Sequence, residues 1–152
     1  MVTEKINISE IKELIPHREP FLYIDELVNI IKLKKATGVK TFNKNDDFFK
    51  GHFPDHPVVP GVLLIEMMAQ TAAALIAYSI KKETFDKIVY LMNVDGVKFR
   101  KPVFPGSVIY ANVQAIRSKG RVWKFLGDVV DKDNFKICEA NWSAMIMDRN
   151  EK

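Results

Sequence analysis

The chain has 152 residues and a mass of 17.4 kDa, the size of one domain, here read as a single unit over residues 1–152. Hydrophobic residues make up 47% and charged residues 28%, which fits a packed soluble protein and excludes a disordered chain. The net charge of +4 favours an acidic partner without announcing nucleic acid, and the lone thiol, Cys138, excludes an internal disulfide or a cysteine-rich zinc site and points to a reducing compartment.

The opening residues, Met1 to Asn7, are polar, carry an early acid and have no apolar run behind them, so no secretion signal is expected. Asn7 with Glu10 three residues on forms a helix-start signal. Ile8, Ile11, Leu14 and Ile15 then make one apolar stripe, and Pro16 stops it. From Phe21 to Phe42 the residues are β-rich, with Tyr23, Ile24, Val28, Ile30, Ile31 and Val39. Asp25, Glu26, Lys32, Lys34 and Lys35 interrupt them, which predicts a bent or broken strand. Asn43 to Gly61 reads as loop, punctuated by Gly51, Pro54, Pro57 and Pro60.

Val62 to Ile80 is almost entirely apolar and nearly long enough to cross a bilayer. It contains Glu66 and Gln70, and an intramembrane carboxylate is costly, so a helix buried in protein is expected instead. Strand-like runs follow at Lys87–Lys101, Ser107–Arg117, Arg121–Val130 and Phe135–Met147, separated by turn compositions. In the last run Cys138, Ala140, Trp142, Ala144 and Ile146 alternate with Glu139, Asn141 and Ser143. The final residues read as a frayed tail. The expected class is α+β: a curved antiparallel sheet, its last four strands in a meander, wrapped around one long helix. Its exposed edges favour pairing with a second copy.

Two residues stand out chemically. His52 lies in a loop pinned by Gly51 and Pro54, where an imidazole can act as general base near neutral pH. Glu66 lies in the apolar helix, where burial raises a carboxyl pKa and makes it a candidate general acid. The Gly61 amide, at the start of that helix, presents a donor and the positive end of the helix dipole to a developing oxyanion. Gln70, one turn after Glu66, can hydrogen-bond its carboxyl, and Phe53 and Pro60 flank the site as supports.

Blander assignments compete. A histidine in a loop is often structural, held by backbone. His56 with His52 gives a His-x-x-x-His spacing, but Pro54 and Pro57 forbid the helix such a metal pair needs, so no metal site is expected. Lys98, Arg100 and Lys101, with Arg117, Lys119, Arg121 and Lys124, make basic clusters that are either solvated faces or docking points for an acidic protein or phosphate. Trp123 and Phe125 are expected to pack into the sheet rather than stack on bases. No phosphate loop, nucleophile elbow or dinucleotide fingerprint is present.

The segments Leu14-Ile15-Pro16-His17-Arg18, Pro20-Phe21-Leu22, Gly51-His52-Phe53-Pro54, Pro57 to Leu63 with Glu66 and Ala69-Gln70, Val97 to Val103 and Pro105-Gly106 together resemble the 3-hydroxyacyl-(acyl-carrier-protein) dehydratases of bacterial-type fatty acid synthesis, the FabZ type. The resemblance covers about two-thirds of the chain. It implies a hot-dog fold and a homodimer, assembled as a trimer of dimers, in which the histidine of one chain meets the glutamate of the other. It further implies that His52 removes the proton beside the thioester carbonyl and Glu66 protonates the departing 3-hydroxyl. The Gly61 amide would hold the thioester oxygen, with no metal or redox cofactor. The related dehydratase/isomerases carry aspartate where Glu66 stands, which favours simple dehydration. An acidic acyl carrier protein bearing a phosphopantetheine-linked substrate would dock on Arg100, Lys101 and Lys98, in the cytoplasm, with neither nucleic acid nor membrane as partner. Glu19 and Met67 depart from the family pattern, at a usually aromatic and a usually small position. A hot-dog thioesterase and a non-catalytic acyl-binding module are the rival readings.

Overall fold

The computed structural model describes residues 4–80 and 87–148; the expected frayed tail lies outside them. Seven strands and two α-helices follow in the order β1 (Glu4–Ile6), α1 (Ile8–Leu14), β2 (Glu26–Ile31), β3 (Lys35–Thr41), α2 (Gly61–Ile80), β4 (Lys87–Phe99), β5 (Val108–Lys119), β6 (Val122–Asp131) and β7 (Lys136–Asp148). The helix start at Asn7 is a full capping box: its side chain accepts from the Glu10 amide at 3.0 Å, and Glu10 accepts from the Asn7 amide at 3.2 Å. The β-rich stretch is a hairpin rather than one bent strand. Lys34 N–H closes onto Ile31 O at 2.9 Å, and Leu33 takes φ +63° in the turn.

All pairings are antiparallel, in the order β1-β2-β3-β5-β6-β7-β4. The expected four-strand meander therefore holds only for β5–β7. β4 does not neighbour β5 but crosses to the far side and pairs with β7, from Lys87↔Asp148 to Phe99↔Cys138. Connection length did not betray this, because strand neighbours are chosen by tertiary contact. The outcome is a long β4 on the open edge, with Tyr90, Leu91 and Met92 exposed.

The sheet wraps α2, which packs against β2 through β7 in the expected hot-dog arrangement. Its most apolar window has mean hydropathy 1.6, enough by length and composition to cross a membrane, yet 61% of that window is buried in protein. A core helix satisfies both facts. Helix and sheet meet tightly at Gly38 on β3, where a Cβ would stand 2.2 Å from Thr71 Oγ1 and 2.9 Å from Ile24 Cγ2. Along β6 Trp123 stacks on Phe125, which stacks in turn on Trp142 of the neighbouring β7, and the last two are almost wholly buried. Each such fully buried side chain contributes about 1.5–3 kcal/mol over its exposed state. The alternation expected for β7 is observed, with Cys138, Ala140, Trp142 and Ala144 buried.

Candidate active site

The loop before α2 is rigid because it bonds to itself. His52 N–H donates to Phe48 O at 3.0 Å, Val58 N–H donates to His52 O at 3.0 Å, and Phe53 and His56 exchange backbone bonds of 3.1 and 3.0 Å. Val59 N–H ties the loop to Val103 O at 2.9 Å. The His52 ring stacks on Phe53, centroids 4.1 Å apart, and its Nδ1 lies 2.8 Å from Val58 O. A carbonyl only accepts, so Nδ1 carries a hydrogen, and in the neutral ring the lone pair is left on Nε2. That is the tautomer a general base needs. The imidazole of His56 turns elsewhere, edge-on to Phe104, and among the described residues no group of three His, Cys, Asp or Glu is placed to hold a metal.

Glu66 lies on the second turn of α2 with its side chain 23% exposed. Burial raises its carboxyl above the ordinary range, only partly opposed by a hydrogen bond from Gln70 Nε2 at 2.9 Å. Gln70 does more than the expected support. Its amide also donates to Phe21 O at 3.0 Å and accepts from Tyr23 N–H at 2.7 Å, stapling the segment before β2 onto the helix. Gln70 and Tyr23 are almost wholly buried, and the nearby Glu66 charge adds to the burial that raises the Tyr23 phenol.

Gly61 opens α2, so its N–H has no partner within the helix. Phe99 lies over it: a Cβ at Gly61 would meet the ring at 2.7 Å. The two line a groove of about 540 Å³ with Val59, Val62, Leu64 and the 100–103 segment. The interaction with Phe99 was invisible in the sequence, since residues so far apart carry no local signal of contact. Pro60 O accepts from Leu63 N–H at 3.0 Å and sets the first turn.

Within one chain, among the described residues, His52 and Glu66 share neither a hydrogen bond nor an ion pair; Glu66 instead has His17 at 3.7 Å. The basic residues do not form one patch. Lys98 stands opposite Glu139 on β7, whereas Val122, beside the 117–121 turn, stands opposite Met145, about 20 Å further along the strand at roughly 3.3 Å per residue. Arg100 pairs with Glu139 at 2.6 Å and Lys101 with Asp131 at 2.5 Å. Lys98 has no ion pair among the described residues.

A FabA-like domain is matched over residues 15–141. The chain belongs to the FabA-like family. Among the relatives of this FabA-like chain is a 3-hydroxyacyl-(acyl-carrier-protein) dehydratase FabZ of Acidiphilium cryptum, 49% identical over 95% of this chain and 87% of the relative. Proteins of the same description from Gluconobacter oxydans and Myxococcus xanthus are 47% and 45% identical, over 96% and 95% of this chain and 86% and 94% of theirs. A solved structure described as the dehydratase heterocomplex ApeI:P from Xenorhabdus doucetiae superposes with a TM-score of 0.77 at 16% identity, covering 93% of both chains. At that identity it attests the shared fold alone.

Proposed function

We propose that this FabA-like protein dehydrates 3-hydroxyacyl thioesters carried on acyl carrier protein to trans-2-enoyl thioesters, as a hydro-lyase of fatty acid synthesis. The observation that carries the reading is Glu66: a carboxyl set into an apolar helix, partnered by a neutral amide and held above its ordinary pKa by burial. Such a group keeps a proton to give away. His52 Nε2 takes the proton from C2, and the thioester oxygen, gaining charge, rests on the Gly61 N–H at the head of α2. Glu66 gives its proton to the C3 hydroxyl, which leaves as water as the C2–C3 double bond forms. One proton moves to His52 and one leaves Glu66, so a single transfer through the released water resets both. The reaction is redox-neutral and assigns no metal or cofactor.

The same reading divides each site between two copies. The exposed β4 edge, with Tyr90, Leu91 and Met92, offers a long strand for antiparallel pairing with its own mate. A trimer of such dimers and a cytoplasmic location extend the reading. The carrier is acidic and docks near Lys98, Arg100 and Lys101, competing with Glu139 and Asp131 for the last two. The test supplies a 3-hydroxyacyl carrier-protein thioester and follows conjugated enoyl absorbance and free thiol together. Enoyl without thiol is expected; thiol release means a thioesterase, and neither means a binding module.

A further inference from the structure

His17 stands just beyond α1, in a segment fastened at both ends. The Arg18 guanidinium donates to Lys12 O at 2.8 Å, Ile15 O at 2.9 Å and His17 O at 2.7 Å, locking the backbone against the end of the helix. Downstream, Phe21 N–H closes onto Arg18 O at 2.7 Å, and Gln70 grips Phe21 and Tyr23. Between these anchors the imidazole turns toward α2. Nε2 lies 3.7 Å from Glu66 Oε1, and Nδ1 is buried with no hydrogen-bond partner among the described residues. A histidine kept only for packing normally has its buried nitrogens satisfied; this one instead turns its other nitrogen toward the Glu66 carboxyl.

We propose that His17 is a positioning residue for Glu66: a neutral imidazole whose Nε2–H closes onto the carboxylate when the acid has given up its proton. The inference rests on Glu66 being the general acid. Gln70 has two amide hydrogens, and one serves Phe21 O, so it can offer the carboxylate only one. Glu66 therefore needs a second donor once it is ionised, and His17 Nε2, 3.7 Å from Oε1, is placed to become one. A permanent cation there would hold Glu66 ionised and spoil it as an acid. His17 avoids this because burial, and then the adjacent Arg18 charge, lower its pKa. The groups facing the pair are Arg18 on the same segment, with its guanidinium turned back to α1, Gln70 on α2, and the Tyr23 phenol, which also feels Asp46. In the proposed dimer the His52 imidazole of the second copy joins them.

The experiment compares His17→Leu, His17→Gln and His17→Asn in the full chain, reading the Glu66 carboxyl by carbon-13 NMR titration and the pH profile of kcat/KM. Loss of the donor destabilises the carboxylate, so His17→Leu raises the Glu66 midpoint and moves the alkaline limb upward. Its kcat falls roughly tenfold while KM stays within about twofold. His17→Gln, whose amide nitrogen reaches the Nε2 position, keeps the midpoint and the limb; His17→Asn, whose shorter amide does not, behaves as leucine does. If leucine leaves the Glu66 titration unchanged, or glutamine and asparagine behave alike, the proposal is overturned. Should leucine not fold, the glutamine–asparagine difference decides. If the wild-type protein forms no enoyl product, the dehydratase reading fails, and the NMR midpoints still test the contact of His17 with Glu66 by themselves.

Discussion

Glu66 and Glu139 are the same residue placed in two opposite surroundings. Glu66 projects from α2 with the Gln70 amide and the His17 imidazole beside it, and burial raises its pKa. Glu139 lies on the outer side of β7 between Arg100 at 2.6 Å and Lys136 at 3.1 Å, and those cations hold it down at about 2. One carboxyl is tuned to hold a proton and the other to shed it. The contrast teaches that local charge pairing makes a glutamate a counter-ion, whereas desolvation without a cation makes it an acid. Cys138, one residue from Glu139 but facing the core, is pushed up to about 12 by burial, which disfavours its thiolate.

The comparison breaks if the two glutamates prove interchangeable. Glu66→Gln and His52→Ala should each lower kcat by about 100- to 10,000-fold with the fold intact by circular dichroism; Glu139→Gln should leave kcat within about twofold. If each site is shared between two copies as proposed, mixing unfolded Glu66→Gln and His52→Ala chains and refolding them together should restore about a quarter of wild-type activity, because half the dimers would carry one intact site. Failure to complement would put both groups of a site on one chain. Gln70→Leu, which strands Phe21 O and Tyr23 N–H as well as Glu66, should cost about 2–4 kcal/mol in denaturant unfolding and lower kcat as well. Gly38→Ala probes the helix–sheet contact alone: about 1–3 kcal/mol of stability should be lost, with kcat/KM unchanged in the folded fraction.

Stability against pH sharpens the contrast by its sign. The folded pKa of Glu66 lies above its unfolded value, so its contribution is full below the ordinary carboxylate range and is lost as pH rises through the raised value. Glu139 runs the other way, contributing above that range and losing its contribution as pH falls toward about 2. Urea midpoints should therefore fall less steeply with rising pH in Glu66→Gln than in the wild type, and less steeply with falling pH in Glu139→Gln. A much smaller effect than at His52 or Glu66 is expected at the cations proposed to meet the carrier. Since Arg100 and Lys101 already have acidic partners, Ala at either should raise KM for a carrier-bound substrate by about two- to fivefold, and Lys98→Ala by at least as much. KM for a pantetheine thioester should move in none of them.

Much of this was legible before any coordinates, and for local reasons. The Asn7–Glu10 cap, the extent of α2 and the alternation in β7 are encoded within a few residues, and all three are present as read. His52 and Glu66 drew attention because an imidazole in a proline-pinned loop and a carboxyl in an apolar helix are each out of place. By contrast, β4 read correctly as a strand but wrongly as the neighbour of β5, because its partner is chosen across the whole fold. His17 carried no chemical signal beyond its place in a shared motif; only folding brings it to 3.7 Å from Glu66. The basic clusters read along the chain stand at different levels of the sheet, which the sequence did not show.

Sequence alone was enough for the helix and most strand extents, for the burial of α2 and for singling out His52 and Glu66 as the groups proposed to react, because periodicity, capping and misplaced polarity act over a few residues. The tertiary structure alone decided which strand lies on the open edge, which cations are already neutralised, and which neutral groups surround the Glu66 carboxyl. Those depend on desolvation and on distances between residues remote in the chain, and such quantities exist only once the backbone has closed around its core.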